Sequence, residues 1–185
     1  MTFSMPQTYL IGLTSLLLII SILVGRQLLK VRKAEIQLVK LEKNASSDSE
    51  NAENLYELAS VQLKKRLYPQ AIISLKQALK NLKEEPSEAK AIIENALGFS
   101  LAAQDNFKEA VEHYEKAIRA KSDYPVALNN LAFAKQKLLL EDEAFNLYKK
   151  VLNIDPKNKT AKRQLEKISK LKQNSSSNIV YKKGF

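Results

Sequence analysis

Apolar positions fall into two regimes along this chain. From Tyr9 to Val24 no charged residue occurs, whereas from about residue 50 onward apolar residues return every three or four positions, with charged and polar residues between them. The second pattern is that of amphipathic helices. It predicts paired helices at 50–66 and 69–83, 88–104 and 107–120, and 125–138 and 141–154, followed by a last helix from 157 to 172. The pairs are copies of one another. Gly98, Ala110, Tyr114 and Ala117 recur 34 residues later as Ala132, Ala144, Tyr148 and Val151. Ala59, Ala71, Leu75 and Ala78 hold the same places 39 residues upstream, so the loop around Pro86 carries five extra residues. A fixed period of this length predicts an all-α solenoid, an architecture that presents a binding surface.

The punctuation between helices agrees with this reading. Pro69 and Pro125 fall in a first turn, where a missing N–H costs no helical hydrogen bond. Ser47 and Glu50 have capping-box spacing, Asp105 is placed to cap the helix after it, and Glu141, Asp142 and Glu143 put negative charge at a helix start. Asp155 and Pro156 end the sixth repeat helix. Beyond them, Ala161, Leu165, Ile168 and Leu171 form a stripe suited to covering the open face of the third pair, as terminal caps do. The expected organisation is a short outer N-terminus (1–8), a membrane span (9–29), a basic helical stalk and polar linker (30–49), a repeat domain with its cap (50–172) and a disordered tail (173–185).

A transmembrane helix needs roughly 20 apolar residues. Tyr9 to Val24 supplies sixteen without charge, and Gly25 to Leu29 extend the run, with Arg26 long enough to snorkel to the interface. A cleaved signal peptide would carry its basic residues before the apolar run. Here Arg26, Lys30, Arg32 and Lys33 stand at the end of the run and beyond it. The span is therefore expected to be an uncleaved single-pass anchor, with the repeats on the side where the protein is made. Of these membrane-flank cations, Arg32 and Lys33 would lie against anionic headgroups.

The net charge of +10 admits an anionic partner. The cations are spread along the helices and often adjoin acids, as in Lys108-Glu109 and Glu115-Lys116, so they read as solvated surface. No nucleic-acid-binding motif accompanies them, and no nucleic acid is expected. Cysteine is absent, which excludes disulfides and thiolate chemistry. The single histidine, His113, stands among charged residues and reads as a surface residue. No catalytic residue, cofactor or metal ligand is expected, because nothing completes a site around His113 or the acid pairs.

These repeats resemble the tetratricopeptide repeat (TPR), which has small residues where two helices cross and large apolar ones between them. Leu128, Leu131, Ala132, Ala144, Tyr148 and Pro156 carry the match in the third copy; Leu97, Gly98, Ala110, Tyr114 and Ala117 carry it in the second. The first copy matches with Leu55, Leu58, Ala59, Ala71, Leu75 and Ala78, and the family's tryptophan is missing throughout. The resemblance implies a groove lined by the first helix of each pair. Its residues would be Tyr56, Ser60 and Leu63, then Asn95, Phe99 and Ala102, then Asn129, Phe133 and Gln136. Asparagine amides can hold a peptide backbone and phenylalanine offers apolar area. Some relatives grip a chaperone's C-terminal carboxylate with a cationic clamp. Tyr56, Ser60, Ala96, Val126 and Asn130 hold those positions here, so that mode is not expected.

An anchor followed by three such pairs and a capping helix is similar to a group of cyanobacterial and red-algal plastid proteins implicated in photosystem I assembly or stability. The likeness includes the stretch from Val24 through Arg26 to Arg32 and Lys33. It implies a protein partner, such as a photosystem I subunit or an assembly factor, held at the thylakoid membrane. An organellar import receptor, or a regulatory subunit of a membrane protease or envelope enzyme, would use the same parts.

Overall fold

The computed structural model describes residues 5–47, 51–82 and 87–182. It is all-helical among these residues and divides into two units. The first is a single helix, α1 (Met5–Ser47), which runs without a break through both the expected span and the expected stalk. It is long and apolar enough to cross a membrane, with a mean hydropathy of 2.0 over its most apolar window and none of that window buried.

The second unit holds α2 (Ala52–Lys64), α3 (Tyr68–Asn81), α4 (Ser87–Ala102), α5 (Phe107–Ala120), α6 (Pro125–Lys137), α7 (Glu141–Ile154) and α8 (Lys159–Lys182). Each helix packs on its sequence neighbour, giving three antiparallel pairs and a terminal helix. α8 continues to Lys182, past residue 173 where a disordered tail was expected to begin.

Small residues set the helix spacing within each pair. Ala59, Ala71, Ala110, Ala132 and Ala144 are fully buried at the crossings, and Leu75, Tyr114 and Tyr148 fill the space beside them. A Cβ on Gly98 would lie 2.8 Å from two ring carbons of Tyr114 and 3.1 Å from the Ala110 carbonyl, so the approach of α4 and α5 at this point depends on glycine. α8 closes the end of the stack. Ala161 and Ile168 are fully buried in one cluster with Leu128, Ala132, Ala144, Tyr148 and Val151. Burying a side chain such as Ile168 contributes about 1.5–3 kcal/mol, and this anchors a helix whose other faces are polar.

The turn inside each pair follows one plan. Arg66, Asp105 and Leu139 adopt φ of 61°, 60° and 63°, each at the same place in its repeat. The next N–H in each turn reaches back five residues: Leu67 to Gln62 (2.8 Å), Asn106 to Leu101 (3.0 Å) and Leu140 to Lys135 (2.9 Å). This is the Schellman closure, whose left-handed residue is usually glycine. Two capping expectations are corrected by the geometry. Asp105 is the left-handed residue, and Asn106 caps α5 by accepting from the Glu109 N–H. Asn51, not Ser47, caps α2, accepting from the N–H groups of Glu53 and Asn54; Ser47 lies in α1 and Glu50 lies outside the described residues.

Candidate functional site

The repeat spacing stacks the first helices α2, α4 and α6, so that one face of each presents equivalent positions in rows. The first row is Tyr56, Asn95 and Asn129, the second Ser60, Phe99 and Phe133, and the third Leu63, Ala102 and Gln136.

The first row is a network of side-chain amides. Asn95 donates to the Tyr124 hydroxyl at 3.4 Å and accepts from the Asn130 amide at 3.0 Å. Burial raises the pKa of Tyr124, and neighbouring Tyr56 raises it further. Asn129 donates at 3.2 Å to the Asn158 oxygen, which also caps α8 by accepting from the Ala161 N–H. The Asn129 oxygen itself is buried without a hydrogen-bond partner. These amides tie one repeat to the next and the last repeat to the cap. A peptide backbone would therefore have to compete for them.

The second row is open. Phe99 and Phe133 are 45% and 43% exposed, which is high for phenylalanine in a chain with a well-filled core. Each leans edge-on against an aromatic residue from the preceding pair. Phe99 meets Tyr68 at 6.4 Å and 70°, and Phe133 meets Phe107 at 6.3 Å and 72°. Lys137 adds a cation, its Nζ lying 5.5 Å from the Phe133 centroid and 5.9 Å from that of Phe107. The result is a stepped aromatic ledge with one positive charge at its far end. Tyr68, Phe107 and Lys137 were missing from the expected groove. A signal existed for the two aromatics, since each stands nine residues after the small residue of its crossing, Ala59 or Gly98. In the third row Gln136 accepts from the Tyr148 hydroxyl at 3.2 Å, which leaves Leu63 and Ala102 as half-buried apolar floor.

His113 is not a surface residue. It is 9% exposed in α5, with Nδ1 2.6 Å from Oε2 of Glu94 in α4, itself 4% exposed. A carboxylate can only accept, so Nδ1 carries the donated proton. Charged neighbours in the sequence hid this, because the helix turns them outward while His113 turns in. Lys90, Lys116 and Arg119 line a shallow cleft beside Glu94. A second cationic feature is Lys135, which bridges Glu115 (3.5 Å) and Glu143 (3.0 Å); burial lowers its pKa, but the two carboxylates more than offset that.

Three helix pairs with small residues at their crossings and an open face on the first helices define a tetratricopeptide-repeat domain, and the "Tetratricopeptide repeat" family profile matches residues 48–123. The chain is 35% identical over 155 residues to the protein ycf37 of Cyanophora paradoxa, covering 84% of this chain and 89% of that one. It is 36% identical over 167 residues to ycf37 of Porphyra purpurea, covering 87% and 95%. It is also 31% identical over 159 residues to the chloroplastic tetratricopeptide repeat domain-containing protein PYG7 of Arabidopsis thaliana, covering 86% of this chain and 52% of that protein. The chain belongs to the ycf37 family of tetratricopeptide-repeat proteins. Among solved structures, the fold is similar to the first TPR of Spaghetti (RPAP3) bound to an HSP90 peptide, at a TM-score of 0.60 and 23% identity over 67% of this chain and 94% of that one. It is likewise similar to MamA, at a TM-score of 0.67 and 22% identity over 79% and 77%.

Proposed function

We propose that this protein is a membrane-anchored scaffold that holds a segment of a protein partner against the aromatic ledge of its repeats, and that it serves the assembly or stability of photosystem I at the thylakoid membrane. The observation that carries the binding role is the exposure of Phe99 and Phe133 in a repeated aromatic pairing. A core does not leave such residues open twice at equivalent positions. A helix of membrane-spanning length and apolarity supports the anchor, and the basic residues from Arg26 to Lys33 favour the stromal or cytoplasmic side for the repeats. A chloroplastic relative supports the plastid setting. The photosystem I role rests on the resemblance to the plastid group in architecture and in the stretch from Val24 to Lys33.

The test is a mild-detergent pull-down of the tagged full-length protein from its native membranes, compared with the Phe99→Ala/Phe133→Ala variant. The variant loses two edge-to-face pairs, about 0.5–1.5 kcal/mol each, at rings whose burial is only partial, so it is expected to stay folded, and its far-ultraviolet circular dichroism checks this. Capture of photosystem I subunits or assembly factors by the intact protein, and their loss from the variant, is the expected result. Recovery of translocase or protease components alone would overturn the photosystem reading and leave the scaffold reading in place.

A further inference from the structure

The charge of +10 is not evenly distributed. Residues 50–148, which build the three pairs, hold thirteen Lys and Arg against fifteen Asp and Glu. Residues 149–185 hold eleven against two. We propose that the exposed face of the capping helix α8 docks on an anionic lipid surface.

The geometry of α8 supports a built surface. At 100° per residue, Lys159, Lys162, Arg163, Lys167 and Lys170 fall within an arc of roughly 140°. All five are exposed. The opposite side of the helix carries Ala161 and Ile168, which are fully buried against the third pair. Packing therefore fixes which way the cations point. Glu166 is the single acid within the arc, and among the described residues none of the five cations is held in an ion pair. Lys149, Lys150 and Lys157, also exposed, add to the same end of the domain. Such a concentration of unneutralised charge is costly to the fold by self-repulsion unless an anionic partner offsets it.

The chemistry favours lipid headgroups over nucleic acid. Four of the five cations on the arc are lysines, hydrated point charges on flexible stems that suit a diffuse negative surface, whereas planar recognition of phosphate favours arginine. α8 carries no aromatic residue between Lys157 and Leu171, and the Phe145 ring in the cleft beside Glu166 and Lys170 is already covered by the Lys149 ammonium, 4.7 Å from its centroid, so α8 itself offers no row of rings on which bases could stack. The inference rests on the anchored reading of α1, since a domain tethered to a membrane-inserted helix meets the lipid surface as the anion at highest local concentration.

The chain lacks cysteine, so a single Thr160→Cys substitution at the exposed start of α8 gives a unique fluorophore site. The labelled full-length protein is reconstituted into vesicles of phosphatidylcholine alone, or with added phosphatidylglycerol, carrying an acceptor dye on the headgroups. Energy transfer is expected to be greater in the anionic vesicles. It should fall to the zwitterionic level at high salt, and likewise in a variant with Lys159, Lys162, Arg163, Lys167 and Lys170 all replaced by Gln, whose circular dichroism is compared with the parent. Equal transfer in both lipid mixtures, or an unchanged signal from the Gln variant, would overturn the proposal. So would salt-sensitive binding of a single-stranded RNA oligonucleotide, lost in the Gln variant, without any lipid dependence. Alkaline extraction of the same vesicles reads the anchor separately: protein that washes off refutes the span, and flotation of the unlabelled chain with each vesicle type then reports α8 docking on its own.

Discussion

Glu94 and His113 form the pair whose removal gives the clearest reading of what holds the second repeat together. Both are buried, at 4% and 9% exposure, and they meet at 2.6 Å across the α4–α5 contact. The third repeat places leucine at both equivalent positions, Leu128 and Leu147, so an apolar solution exists within the same chain. Changing His113 to Leu leaves a buried carboxylate without its partner, a loss of about 3–5 kcal/mol. The cationic rim of Lys90, Lys116 and Arg119 offsets part of this and places the effect at the lower end. Changing Glu94 to Leu leaves an unpaired imidazole, at about 1–3 kcal/mol. Changing both removes the desolvated polar groups together, and such replacements are often neutral or stabilising. The double variant is therefore expected to be at least as stable as the parent, although both single variants are weaker, so the coupling is at least as large as the two single losses together, about 4 kcal/mol or more. Urea unfolding followed by circular dichroism, on full-length protein in one mild detergent, measures all four corners of the cycle. A double variant whose loss equals the sum of the two single losses would refute the reasoning, since it would mean that the pair supplies shape rather than mutual electrostatic satisfaction.

Gly98→Ala forces a Cβ to within 2.8 Å of the Tyr114 ring, which is 2% exposed and hemmed in. Overpacking of about 1–3 kcal/mol, less about 1 kcal/mol of helix propensity, leaves a net destabilisation of about 1 kcal/mol, readable by the same denaturation. Leu139 is 84% exposed in a left-handed conformation, so Leu139→Gly loses no packing and is expected to stabilise by about 0.5–1 kcal/mol, whereas Leu139→Val should destabilise. Burial pushes the Tyr148 hydroxyl up to about 12 from 10.0 and raises that of Tyr114 further. The unfolded chain then gives up these protons first, so stability is full below pH 10 and falls as pH rises towards the folded values, by about 1.4 kcal/mol per pH unit for each tyrosine. Tyr114→Phe should flatten that alkaline limb, and a limb unchanged by the substitution would exclude Tyr114 as its source.

The solenoid was legible because it depends on one-dimensional spacing. Ala110 and Ala144, or Tyr114 and Tyr148, need only recur at a fixed interval for the helix pairs to close in the same way each time. What the sequence left obscure depends on distances across the fold. Asn95 and Asn129 stand at the expected positions, but their engagement by Tyr124, Asn130 and Asn158 joins residues 29 to 35 apart. The charged neighbours of His113 in the sequence point outward and carry no information about its burial, whereas the carboxylate of Glu94, at a position that is leucine in the other two copies, is the informative sign. The cap of α5 differed by a single residue: Asp105 precedes Asn106 and either side chain can cap, but the left-handed turn takes one of them. The basic end is hidden locally because acids and bases alternate along the repeats, and only the totals, eleven cations against two acids over residues 149–185, set it apart.

The division of labour within the first helices bears on how tightly the proposed partner would be held. With the Asn amides already committed to joining repeats, the ledge of Phe99, Phe133, Tyr68 and Phe107 is left as the main source of binding energy. Phe99 and Phe133 are about half exposed, so covering them recovers on the order of 1 kcal/mol each, and a charge paired to Lys137 adds a comparable amount. Loss of translational and rotational freedom alone costs about 4–15 kcal/mol on association, so a short soluble peptide should bind this face only weakly. On the proposed anchored reading, confinement of both partners to one membrane would change that balance, because it would raise effective concentration to the millimolar range without any new contact. Isothermal titration of a free peptide against the full-length protein should therefore give a dissociation constant well above that of the membrane-embedded pair. A peptide that binds tightly in solution would show that the anchor is dispensable for recognition, and that the amide network yields its hydrogen bonds to the ligand after all.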